Sequence, residues 1–202
     1  MTEERLQRRL AAILAADVVG YTRLMAGDEA GTLARLKALR AEVFDPETAR
    51  FGGRIFKTTG DGALVEFASA VDAVQCAVEI QRALAERNTA VAVDQRTVLR
   101  IGVSLGDVIV DEDDLFGNGV NVASRMEGLA EPGEICISEN VHEHVSGSLD
   151  VEFIDIGEQS VKNIDRPIRC FRVRLGPVVS METKALPAAE KKARAVLPFN
   201  NM

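Results

Sequence analysis

The 202-residue chain contains no tryptophan and a single tyrosine, Tyr21. That shortage excludes a base-stacking platform for single-stranded RNA, which needs aromatic side chains set on neighbouring strands. Histidine is almost as scarce. His142 and His144, the only two, stand two residues apart and fall on different faces of a helix, so they read as surface residues rather than as a ligand pair. Three cysteines, Cys76, Cys136 and Cys170, form no C-x-x-C pair. This excludes a disulfide framework and a zinc knuckle, and it fits a reducing, cytoplasmic setting. Positive charge is in deficit: 24 Lys and Arg face 31 Asp and Glu, a net charge of −7, the wrong sign for a general nucleic-acid binder. No apolar run approaches the roughly 20 residues that cross a bilayer. The first ten residues are too polar and arginine-rich for a secretory signal.

What is present is the composition of a folded domain, 47% hydrophobic and 27% charged. A chain of this length buries about two-thirds of its unfolded surface without a metal or disulfide staple. Residues 11–19 read as a buried strand. Residues 28–48 carry the 3.6-residue period, with Leu33, Leu36, Leu39 and Val43 on one stripe and Asp28 as N-cap. Residues 53–59 and 63–67 form a hairpin about Gly60-Asp61-Gly62. Ser69 caps a second helix to about residue 87, apolar at Val71, Val74, Val78 and Leu84. A strand at 98–110, a turn or loop at 111–114, a helix at 118–129 ending before Pro132-Gly133, and strands at 134–137, 151–156 and 167–173 complete the reading. The order β-α-β-β-α-β predicts an α/β (α+β) sandwich of ferredoxin-like type. Its helices are expected on one face of a mainly antiparallel sheet, with extra C-terminal strands. The domain is expected over residues 10–175, after an N-terminal extension of residues 1–9. Residues 176–194, rich in Ala, Lys, Glu and Pro, read as a linker, and residues 195–202, apolar again, as the start of a truncated following domain.

Three stretches carry chemistry. In Ala16-Asp17-Val18-Val19-Gly20-Tyr21-Thr22 an aspartate ends a strand and a glycine turns into a helix start. The free N–H groups of Tyr21 and Thr22 make a phosphate cradle there, and a carboxylate beside phosphates requires a cation between them. In Lys57-Thr58-Thr59-Gly60-Asp61-Gly62, Asp61 sits at a hairpin tip. If the first strand lies beside that hairpin, Asp17 and Asp61 face each other and can share one or two divalent ions. In Asp114-Leu115-Phe116-Gly117-Asn118-Gly119-Val120-Asn121-Val122-Ala123-Ser124-Arg125-Met126, Asn121 and Arg125 share one helical face. An amide beside a guanidinium can orient a sugar and clamp a phosphate. Taken singly, each stretch also reads as ordinary turn chemistry or a solvated helix face.

Together, in this order and spacing, they resemble the catalytic domain of the class III nucleotidyl cyclases, the adenylyl and guanylyl cyclase family, over residues 9–174. The resemblance implies that Asp17 and Asp61, with the Val18 carbonyl, bind two divalent ions, Mg²⁺ or Mn²⁺. It implies that Lys57 and Asp114 read the purine, that Asn121 orients the ribose, and that Arg125 stabilises the transition state. Lys162, in Ser160-Val161-Lys162-Asn163, matches the lysine that binds the terminal phosphates. The implied assembly is a head-to-tail homodimer whose sites take the aspartates from one chain and the base, ribose and Arg125 contacts from the other. The implied reaction is conversion of ATP to cyclic AMP and pyrophosphate.

The choice of purine has its own physical argument. Adenine offers an acceptor at N1 and a donor amino group at C6. Lys57 can only donate and ionised Asp114 can only accept, so the pair complements adenine and mismatches guanine. Guanylate cyclase is the alternative within the class, and a non-catalytic nucleotide sensor the alternative outside it.

Overall fold

The computed structural model describes residues 7–161, 164 and 166–175. Lys162, residues 176–194 and residues 195–202 lie outside the described residues, as do the first six. The elements run β1 (Gln7–Val18), α1 (Tyr21–Gly27), α2 (Glu29–Leu39), α3 (Asp45–Arg50), β2 (Arg54–Thr59), β3 (Gly62–Phe67) and α4 (Ala70–Asn88). They continue as β4 (Leu99–Asp111), β5 (Asp114–Phe116), α5 (Asn118–Leu129), β6 (Ile135–Ser138), α6 (Glu139–Val145), β7 (Glu152–Gln159) and β8 (Ile168–Arg174).

One sheet has the order β2-β3-β1-β4-β6-β8-β7, with β5 paired to β4. Its first four members form the antiparallel ferredoxin-like core, and the late strands extend it through a parallel β4–β6 pair. The expected fold class is therefore the observed one.

The expected placement of every helix on one face is corrected. Ala12, Leu14, Ala16 and Val18 of β1 join the core built with α4, while Ala11, Ile13 and Ala15 pack with Ala123 of α5 on the opposite face. The reason is legible in β1 itself, where Ala11 through Ala16 are all buried. An unbroken apolar run marks a strand covered on both sides, whereas alternation marks one wet face.

Small residues let α5 lie close. A Cβ on Gly102 would stand 2.0 Å from the Glu127 backbone nitrogen, and Gly106 abuts Gly119. Ser104 Oγ donates to the Gly119 carbonyl at 2.6 Å, which fixes the helix along the strand.

The expected single helix over residues 28–48 is also corrected. Asp28 does cap α2, accepting from the Gly31 N–H at 2.9 Å. A wide π-turn over Arg40–Phe44 then separates α2 from α3. Pro46 has no N–H to give to an i−4 carbonyl, so the ladder opens before it and restarts with proline in the first turn of α3. Of the turn or loop expected at residues 111–114, the structure shows the turn, as the tip of the β4–β5 hairpin. Asp111 pairs with Asp114, and Glu112 takes the turn at φ 51°. Of the two histidines, His144 is exposed, but His142 stacks on Phe171 with centroids 3.8 Å apart and is not a free surface residue.

Candidate active site

The site is built on the face of the sheet that carries α5. Pairing of β1 with β3 sets Ala16 opposite Ala63, which brings Asp17 alongside the Gly60-Asp61 tip of the β2–β3 hairpin. Gly62 is needed there, since a Cβ would meet the Ala16 carbonyl at 2.9 Å and the Asp17 carboxylate at 3.4 Å. Gly60 makes the turn at φ +70°. Burial raises the Asp61 carboxyl above its ordinary range, and the adjacent Asp17 carboxylate raises it further against one backbone hydrogen bond. Two carboxylates held together in this way are matched to a shared cation. Among the described residues no group of three or more His, Cys, Asp or Glu side chains is placed to hold a metal ion, so other ligands would be backbone carbonyls, water or phosphate oxygens.

Two residues beside this pair were not singled out in the sequence. Arg100 is the cross-strand neighbour of Asp17 on β4. Its Nη2 stands 3.1 Å from Asp17 Oδ2 and 3.1 Å from Glu127 Oε1 on α5. Burial raises the Glu127 carboxyl; Arg100 opposes that rise, while Asp17 and Asp61 add to it. The signal for Arg100 was a charge inside the apolar run Leu99–Val103 that opens β4.

Glu127 also fixes the rotation of α5. With 100° per residue, Arg125 projects from nearly the opposite side of the helix, and Asn121 from a flank. Asn121 is exposed, and Arg125 is half-buried with its Nε lacking a partner among the described residues. The structure thus brings Asp17 and Asp61 together and turns Arg125 away from them within the same chain.

Lys57 and Asp114 do meet. Lys57 follows a bulge in β2 between Ile55 and Lys57, and its Nζ lies 2.5 Å from Asp114 Oδ2. The Lys57 ammonium holds the Asp114 carboxyl below its usual range. Lys57 also sits over the exposed Phe116 ring, 5.3 Å from its centroid. Tyr21 and Thr22 open α1 after Gly20, which takes φ +66°; the first amides to close that turn are those of Arg23 and Leu24, both on the Gly20 carbonyl. The Tyr21 and Thr22 amides precede the helical ladder.

Residues 5–174 match the family model described as the adenylate and guanylate cyclase catalytic domain. The chain belongs to this family. It is 50% identical over 209 residues to the Rhizobium meliloti protein named "Putative adenylate cyclase 3", covering all of this chain and 35% of that protein. It is 30% identical over 179 residues to a pH-sensitive adenylate cyclase of Mycobacterium tuberculosis, covering 83% of this chain and 41% of that one. The chain therefore spans well under half the length of these curated relatives. Among solved structures, the adenylate/guanylate cyclase/hydrolase from Silicibacter pomeroyi superposes with a TM-score of 0.79 at 46% identity, covering 84% of this chain and 98% of that one. This cyclase catalytic domain has, among its described residues, no helix long and apolar enough to cross a membrane.

Proposed function

We propose that the domain is an adenylate cyclase converting ATP to 3′,5′-cyclic AMP and pyrophosphate, at sites shared between two copies of the chain. The observation that carries this reading is the Lys57–Asp114 contact at 2.5 Å. A donor-only and an acceptor-only side chain satisfy each other in this contact, and adenine, with N1 accepting and its amino group donating, would offer each of them a matched partner. Guanine would present a mismatched group to each side chain.

Asp17 and Asp61, with the Val18 carbonyl, would hold two divalent ions, Mg²⁺ or Mn²⁺. When bound, these would lower the pKa of the ribose 3′-hydroxyl and neutralise the triphosphate. The chain's own groups do the rest. Asn121 orients the ribose so that its 3′ oxygen faces the α-phosphorus, and the Tyr21 and Thr22 amides, with Lys162, take phosphate oxygens. Arg125 stabilises charge developing on the α-phosphoryl oxygens as the new P–O bond forms and pyrophosphate leaves.

The rotation of α5 supports a two-chain site. Because Glu127 faces the aspartates of its own chain, Arg125 can serve only aspartates presented by another, as a head-to-tail homodimer with two equivalent sites would do. The test is cyclic AMP and cyclic GMP production by the purified chain with Mg²⁺ or Mn²⁺. Cyclic AMP is the expected product; cyclic GMP alone would make the domain a guanylate cyclase, and no product with retained ATP binding would make it a sensor.

A further inference from the structure

On β3, away from the aspartates, a carboxylate is buried in the sheet. The Glu66 side chain is 8% exposed and lies between two arginines. Arg9 of β1 pairs with Oε1, and Arg54 of β2 gives two bonds to Oε2, from Nε at 3.1 Å and Nη2 at 2.8 Å. Nothing about the core asks for it. A buried ion cluster is often no more stabilising than apolar residues of the same volume, so its retention points to geometry.

The third arm of Arg54 shows which geometry. Its Nη1 donates at 3.0 Å to the carbonyl of Asp113, at the tip of the β4–β5 hairpin, 59 residues away in sequence. The next residue is Asp114. Asp114 Oδ1 accepts from the Leu115 N–H at 2.8 Å, which leaves Oδ2 for Lys57. Arg54 itself is on β2, in register with Glu66 and on the far side of the bulge from Lys57. One guanidinium thus ties the strand carrying Lys57 to the turn carrying Asp114, and Glu66 with Arg9 fixes that guanidinium from below. A fork held on two sides transmits position in a way that a single flexible ion pair does not.

We propose that Arg54 and Glu66 are positioning residues for purine selectivity, setting the spacing of Lys57 and Asp114 without touching nucleotide. The inference rests on the cyclase reading above. Arg54 is 45% exposed, so its replacement leaves a chain that folds. Arg54→Ala is expected to raise KM for ATP about fivefold with kcat within about twofold, and to lower the ATP-to-GTP ratio of kcat/KM by a similar factor. Arg54→Lys keeps the charge on Glu66 but lacks a second arm for the Asp113 carbonyl, so it restores Tm and not selectivity. Arg174→Ala, which breaks an exposed pair with Glu152 on the far edge of the sheet, leaves the ratio unchanged. A brace that serves stability alone would move Tm in Arg54→Ala and leave the purine ratio at the wild-type value, and that result overturns the proposal. If Lys57→Glu with Asp114→Cys shifts the ratio while Arg54→Ala does not, only the positioning role fails. A wild-type chain that makes no cyclic nucleotide overturns both readings.

Discussion

Arg100 holds Asp17 across the β1–β4 ladder, with Nη2 3.1 Å from Oδ2, while Asp61 has no such partner among the described residues and its carboxyl is raised by burial and by the adjacent Asp17 carboxylate. The asymmetry decides what each substitution does. A carboxyl whose folded pKa is raised above 3.8 binds its proton more tightly folded than unfolded. Its stabilising contribution is present below the unfolded value, falls as pH rises through the raised value, and is lost at neutral pH. Asp61→Asn is therefore expected to raise the metal-free Tm at pH 7, with the difference closing below about pH 4. Added Mn²⁺ should raise the wild-type Tm and leave the variant's unchanged. A metal-free Tm below wild type would remove this account of the pair.

In the proposed reaction the same two positions would set turnover. Asp17→Asn and Asp61→Asn are each expected to lower kcat for cyclic AMP by about a hundredfold or more in a folded chain. Circular dichroism beside a product assay checks this, and substantial activity in either variant would remove the metal assignment.

How much of this was legible depended on how local the cause was. Ser69 caps α4 by accepting from the Asp72 N–H, and α5 begins and ends where its apolar period does. Both are decided within one turn of chain. The Asp17–Asp61 neighbourhood was legible because β-α-β-β topology leaves few places for the first strand. Of α1 only the start after Gly20 was legible, and α6 was not legible at all. Neither has a side-chain cap bond, and each is held by packing of one or two residues, Leu24 in one and Val141 and Val145 in the other. Arg100, Glu127 and the Arg54–Asp113 bond join residues far apart in sequence, and no periodicity records such a pairing.

Packing of α5 gives a stability prediction. The 2.0 Å approach at Gly102 is to backbone, which cannot swing aside. Gly102→Ala is expected to destabilise the domain by about 3 kcal/mol, measured by urea unfolding. Gly128→Ala, on α5 itself, meets nothing within 4 Å and should be neutral or slightly stabilising through helix propensity. Equal stability of the two variants would mean that α5 sits farther from β4.

Base selection is tested at the two groups that meet. Lys57→Glu with Asp114→Cys replaces the donor by an acceptor and removes the carboxylate, the arrangement that the guanine edge requires. The kcat/KM ratio should move toward GTP by about tenfold even where total activity falls. An unchanged ATP preference would mean that these side chains do not read the purine.

The two-chain site is tested by mixing. In the proposed shared site, an Asp17→Asn chain would lack a metal ligand and an Arg125→Ala chain the transition-state clamp, so each homodimer would carry one defect in both sites. In a mixed dimer, one site takes its aspartates from the Arg125→Ala chain and its arginine from the Asp17→Asn chain, and that site is wild type. Its other site carries both defects. Random pairing makes about half of the dimers mixed, with half of their sites intact, so about a quarter of wild-type activity should return. The recovered activity should fall on dilution, because the proposed site forms only in the dimer. Within one chain, Arg125 and the aspartates lie on opposite sides of α5, since Glu127 is the residue turned toward Asp17 and Asp61. No recovery from chains shown to exchange partners would require α5 to rotate by almost half a turn, and would refute the shared site.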